Sequence, residues 1–148
     1  MEKHTILEVV SITQKVKKRK VTEKLSSPQA IAKFIQREIG DLANEVLYVV
    51  CVNTQLEVNA VHTVSVGSLD ASIVSVREIF KSAILSNSAS IFIAHNHPSY
   101  QLSPSTEDLH VTKRVAESGK VLGIELLDHL IVSPTDYYSI RDRHLHLF

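Results

Sequence analysis

From residue 27 onward the apolar positions change period several times, and each change marks an element. Ile31, Phe34, Ile35 and Ile39 recur at helical spacing behind Ser27-Pro28, which reads as an N-cap with proline at the first helical position. Gly40 is expected to end that helix. Val46–Val52 is a short unbroken apolar run, the pattern of a buried strand. Asn53-Thr54 begins a turn, and Leu56 to Val66 reads as a second strand that can pair with the first as a hairpin. Gly67 to Ala71 reads as loop. Ser75 then caps a helix with Val76, Ile79, Phe80, Ala83 and Ile84 on one face. Ser90 to Ala94 is another short buried strand, running into a polar segment, His95 to Ser99, expected to form a loop. Ser103-Pro104-Ser105 opens a helix that buries Leu109, Val111, Val115 and Ala116, with Gly119 placed after its end. Leu126 to Val132 and Tyr137 to Ile140 read as the last strands. Helices alternating with strands predict an α/β sandwich built on a mixed sheet.

The first 24 residues behave differently. Thr5 to Val21 alternate only in part, which fits either a solvated arm or an exposed edge strand. The chain therefore divides into an N-terminal arm, 1–24, and a domain, 25–148. Charge supports that division. The whole chain has 16 Lys+Arg against 16 Asp+Glu, yet the arm holds seven basic and three acidic residues, a net of +4, and the remainder carries −4. Lys15, Lys17, Lys18, Arg19 and Lys20 could meet phosphate backbones. Without interleaved aromatics, a solvated arm is the simpler reading.

Composition removes several classes. With 148 residues, 44% of them hydrophobic, the chain can build one core. A single Cys excludes a disulfide framework and multi-Cys metal sites. No apolar run approaches the roughly 20 residues that span a bilayer. The start lacks the apolar stretch of a signal peptide, so a cytoplasmic protein with no membrane partner is expected. Eight His in such a chain ask for an explanation, since His is both a common metal ligand and the usual acid–base residue.

One stretch concentrates that chemistry. His95 and His97 stand two apart at the end of a strand, and Ser105 and Asp108 stand three apart where the next helix opens. Two imidazoles and one carboxylate can thus reach a single point. Three protein ligands leave a fourth tetrahedral position open, as in catalytic rather than structural zinc, and a His₂Asp set suits Zn²⁺ best. A shuffled chain of this composition carries H-x-H-x₇-S-x₂-D in roughly two of a thousand cases. A second H-x-H, His144-Leu145-His146, has no following carboxylate and lies near the end of the chain.

The segment resembles the metalloprotease motif of the JAMM (JAB/MPN) superfamily, E…H-x-H-x₇-S-x₂-D, and within it the bacterial RadC-type JAB domain. His95-Asn96-His97-Pro98-Ser99, Pro104-Ser105 with Asp108, Leu122-Gly123-Ile124 and Leu127 to Val132 carry the likeness, which covers about residues 25–142. The resemblance implies a cytidine-deaminase-like three-layer sandwich, a curled mixed sheet flanked by helices. It implies one zinc per chain on His95, His97 and Asp108, lowering the pKa of a bound water. It also selects Glu45, just before Val46–Val52, as the base that takes the water's proton and returns it to the leaving amine. Ser105 would donate to the developing oxyanion. The implied activity is hydrolysis of a peptide or isopeptide bond in a peptide or protein conjugate, with no covalent acyl-enzyme. Cys51, mid-strand in an apolar run, reads as inert core.

Two features depart from the family. Tyr100 stands where the family usually has Gly, whose freedom to adopt positive φ lets the loop approach the cleft. No helix–hairpin–helix DNA-binding region is read in this sequence, where the basic arm stands ahead of the domain. Asp128 and His129 match a family strand, where one of them would orient a ligand from behind or the two would make a buried sheet-end contact. Asn96 and Ser99 are expected to organise a loop. The alternative function is a RadC-like DNA-associated or protein-binding module with little or no hydrolysis, meeting nucleic acid through the arm. A homodimer could form by strand pairing near residues 56–66. A zinc nucleobase deaminase fits poorly, because its ligand set needs two neighbouring Cys and only Cys51 is present.

Overall fold

A computed structural model describes residues 1–21, 23–68 and 74–148. The expected loop over 67–71 therefore falls partly outside the described residues. The elements run α1 Pro28–Ile39, β1 Val46–Val52, β2 Val58–Val66, α2 Val76–Leu85, β3 Ser90–Asn96, α3 Thr106–Leu122, β4 Glu125–Val132, β5 Tyr137–Ser139 and α4 Ile140–Arg143, with a closing 3₁₀ turn at Leu145–Leu147. The strands form one open sheet in the order β2-β1-β3-β4-β5. β1 pairs antiparallel with both β2 and β3, β3 pairs parallel with β4, and β4 antiparallel with β5.

The alternation of side chains sorts the core into two layers. Leu47, Val49, Cys51, Ile91 and Ile93 face α2 and α3, meeting Ile79, Phe80, Val111, Val115 and Ala116. Tyr48, Val50, Val52, Phe92, Ala94, Leu130 and Val132 face α1, meeting Ala32, Phe34, Ile35 and Ile39. All seven residues of β1 are buried, as its unbroken apolar run predicts for a central strand covered on both sides. The architecture is thus an α/β sandwich with helices on both faces of a mixed sheet. Cys51 lies in this core, fully buried, and burial pushes its thiol pKa up.

Several boundaries differ from the sequence reading. His95 and Asn96 belong to β3 rather than to the loop, because pairing with β1 reaches His95 and pairing with β4 continues through both. Gly119 lies inside α3. A Cβ there would stand 2.4 Å from the Ile124 carbonyl oxygen, so glycine permits the close return of the chain onto the helix. The helix ends instead at Gly123, whose φ of 72° provides the left-handed cap. Ile140 opens α4 instead of ending β5. Residues 1–21 contain no helix or strand and are mostly exposed, so the partial alternation of Thr5 to Val21 is not that of an edge strand. Arg19 nevertheless forms an ion pair with Glu38 of α1.

The pairing of β3 with β4 contains one irregularity. Ile91 pairs with Leu126 but Phe92 pairs with Asp128, so β4 carries one extra residue, a bulge at Leu127. The bulge reverses which side chains face which helix layer. His129 consequently stands opposite Ile93, on the α3 face.

Candidate metal centre

Glu45, His95, His97 and Asp108 meet at the C-terminal end of β3 and the N-terminus of α3. Each offers a ligand atom, and the four atoms lie within 4.8 Å of one another. β3 delivers His95 onto the α3 face, two residues past Ile93, while Asn96 points to the α1 side with Ala94. His97 follows just beyond the strand. Its Nδ1 donates to the Gln101 carbonyl at 2.6 Å, which turns Nε2 toward His95.

Asp108 is held by the helix start. Ser105 Oγ accepts from the Asp108 backbone N–H at 3.1 Å, and Asp108 Oδ2 accepts from the Ser105 N–H at 2.8 Å. This is a reciprocal capping box with an aspartate in the third helical position. The S-x-x-D spacing was therefore readable as a helix-start signal as well as a motif. It fixes the carboxylate at the positive end of α3, where the helix dipole favours negative charge.

Glu45 arrives from the α1–β1 connection, fifty residues upstream. The residue that places this connection is Asn96. Its Oδ1 accepts from the Val46 N–H at 2.9 Å, and its Nδ2 donates to the carbonyls of Asn44 at 3.0 Å and Leu42 at 3.2 Å. Asn96 does organise a loop, but the loop before β1 rather than its own.

The spacing of the cluster tests whether a metal fits. Ligands about 2.0–2.1 Å from a tetrahedral zinc stand about 3.3 Å apart. His95 Nε2 is 2.9 Å from His97 Nε2 and 3.2 Å from Asp108 Oδ1, and His97 Nε2 is 3.4 Å from Asp108 Oδ2. The residues present therefore fit a divalent cation. Glu45 Oε1 stands farther off, 3.7 Å from His97 Nε2 and 4.0 Å from His95 Nε2.

The electrostatics make the same demand. The hydrogen bond with Asp108 raises the pKa of His97. Burial opposes the charge on Asp108, but the neighbouring His95 and His97 and the Ser105 N–H outweigh it and hold the carboxyl below the usual carboxylate range. A buried carboxylate facing two imidazoles favours positive charge between them. His95 is fully buried and Asp108 is 2% exposed, so little water screens that preference.

Tyr100 adopts φ 63°, in the left-handed region that favours glycine. Its N–H donates to the His97 carbonyl at 2.7 Å, and its hydroxyl donates to Asp41 Oδ1 at 2.9 Å, tying the His97 loop to the end of α1. His144 and His146 lie elsewhere: their rings are 6.2 Å apart, and His144 Nε2 meets the Tyr138 hydroxyl at 3.1 Å. Asp128 accepts from the Ser139 hydroxyl and the Arg141 N–H, while His129 lies against His95.

No helix among the described residues is long and apolar enough to cross a membrane. The model of the RadC-like JAB domain matches residues 25–145. A UPF0758 protein of Alkaliphilus metalliredigens is 41% identical over 134 residues, covering 90% of this chain and 56% of that protein. UPF0758 proteins of Clostridium beijerinckii and Roseiflexus castenholzii are 45% and 44% identical over 82% of this chain, covering 53% and 52% of their own lengths. The chain spans about half the length of these curated relatives. With the family match running through every element that builds the histidine–aspartate cluster, the chain belongs to the RadC-like JAB domain family.

Proposed function

We propose that this domain is a zinc-dependent hydrolase of the JAMM type that cleaves a peptide or isopeptide bond. The observation that carries the reading is the convergence of His95, His97 and Asp108, whose facing atoms approach to between 2.9 and 3.4 Å, with Glu45 set just outside them. Zinc held there supplies Lewis acidity and makes water a nucleophile at neutral pH. Glu45, 16% exposed, faces the cluster without a ligand's spacing, as suits a group that takes a proton from the attacking water. It then returns that proton to the leaving amine. Ser105 Oγ already accepts from Asp108 N–H, so its own O–H is the part left to donate to the carbonyl oxygen of the scissile bond. Cys51 takes no part.

The test pairs metal analysis with turnover on peptide and isopeptide substrates. Glu45→Gln should keep zinc while its turnover falls by about 10²- to 10⁴-fold. Undiminished hydrolysis by that variant removes Glu45 from its role, and a wild-type chain that takes up no zinc sinks the reading. The exposed basic arm supports a second reading, in which nucleic acid binds through Lys15 to Lys20. That reading requires a salt-dependent DNA affinity which disappears when residues 1–24 are deleted.

A further inference from the structure

Behind His95 lies a buried chain of hydrogen bonds that the proposed chemistry does not itself use. Thr112, one turn after Asp108 on α3, has its Oγ1 2.8 Å from the Asp108 carbonyl oxygen and 2.6 Å from His129 Nδ1. The other ring nitrogen, His129 Nε2, lies 2.8 Å from His95 Nδ1. Thr112, His129 and His95 are all fully buried. Water is therefore not at hand to supply alternative partners.

The donor inventory settles the direction of each bond. A carbonyl oxygen can only accept, so the Thr112 proton lies toward Asp108. Thr112 Oγ1 must then accept from His129, which places the His129 proton on Nδ1. His129 is fully buried, and its ring nitrogens meet only a hydroxyl and an imidazole, with no carboxylate in contact, so the ring is neutral and its Nε2 carries a lone pair. That lone pair must accept from His95, whose proton then sits on Nδ1. The His95 Nε2 lone pair is left facing His97 and Asp108. His97 reaches the same state by a simpler route, since its Nδ1 donates directly to the Gln101 carbonyl.

We propose that Thr112 and His129 are positioning residues that fix the tautomer and ring orientation of His95, so that Nε2 is presented to the metal. The inference rests on the metal reading of the cluster. It also gives the β4 bulge a purpose, because the bulge is what brings His129 to the α3 face. The first hydrogen bond of the chain starts from the carbonyl of Asp108. One residue thus supplies a ligand through its side chain and orients a second ligand through its backbone.

The test is Thr112→Val, which keeps the shape and removes the hydroxyl, set beside Thr112→Ser, which keeps the hydroxyl. Zinc affinity is measured for each by competition with a chelator. Metal-free protein with ¹⁵N-labelled histidine reports the His129 tautomer by two-bond ¹H–¹⁵N correlation, and this reading is independent of activity. Zinc affinity should fall by about 10- to 100-fold in Thr112→Val, the usual cost of losing a group that orients a ligand. Thr112→Ser should bind within about twofold of wild type, and wild-type His129 should carry its proton on Nδ1. A wild-type His129 protonated on Nε2 overturns the proposal, and so does Thr112→Val binding zinc as tightly as a zinc-binding wild type. If the wild type binds no zinc, the metal reading fails, while the His129 tautomer still decides the order of the bonds.

Discussion

The chain contains the same tripeptide pattern twice, and the two copies have opposite surroundings. His95-Asn96-His97 ends a central strand, with His95 fully buried and a carboxylate 3.2 Å away at a helix start. His144-Leu145-His146 leads into the final 3₁₀ turn, where His144 meets a tyrosine hydroxyl and His146 is exposed. A His-x-His pattern is thus only a spacing. What makes the first copy a candidate metal centre is that each imidazole is held by a bond on its Nδ1 side and directed at one point. A free side chain would lose rotamer entropy on binding metal; a held one has lost it during folding.

The contrast breaks most sharply at the ligands. His97→Ala or Asp108→Ala should abolish stoichiometric zinc uptake, measured by metal analysis after dialysis, while the His144→Ala/His146→Ala double variant keeps about one zinc per chain. If the double variant also loses zinc, environment does not distinguish the two segments. Next in size is the support of the first segment. Asn96→Leu leaves the Val46 N–H and two carbonyls without their partner, and should cost about 2–4 kcal/mol in denaturant unfolding. A loss below about 0.5 kcal/mol would show that the loop before β1 holds itself. Ser105→Ala removes half of the capping box, and about 1 kcal/mol of stability should go with it. Turnover that fell only as far as that destabilisation explains would leave Ser105 a cap and remove its assigned hydrogen bond to substrate. The smallest effect belongs to the terminal segment, where His144→Ala removes one contact with Tyr138 and should change stability by less than about 0.5 kcal/mol.

Tyr100 shows how local bonds can hold a non-glycine residue in left-handed backbone. A tyrosine at φ 63° is costly, on the order of 1 kcal/mol or more. The turn bond to His97 and the hydroxyl bond to Asp41 hold it there. The aromatic ring itself is half-exposed.

Much was legible in the sequence because the signals are local. Ser27-Pro28 caps α1, the apolar runs of β1 and β3 mark strands covered on both faces, and His95 to Asp108 lie within one strand–loop–helix segment. Boundaries set by pairing were less legible. His95 and Asn96 look like loop residues in composition, yet neighbouring strands extend β3 through them. Gly119 looks like a helix stop, but it stays helical because it accommodates Ile124.

The sequence alone determined α1 to α3, the existence of the strands, and the local histidine–aspartate arrangement, since periodicity and capping act over a few residues. Only the tertiary structure decided which other side chains reach that arrangement. Glu45 comes from across the β1–β3 pairing through the grip of Asn96, and His129 comes from across β3–β4 through a one-residue bulge. Strand register has a period of two, so a single extra residue exchanges the faces of everything beyond it. No local pattern in β4 announces where that extra residue falls; the packing of both sheet faces settles it.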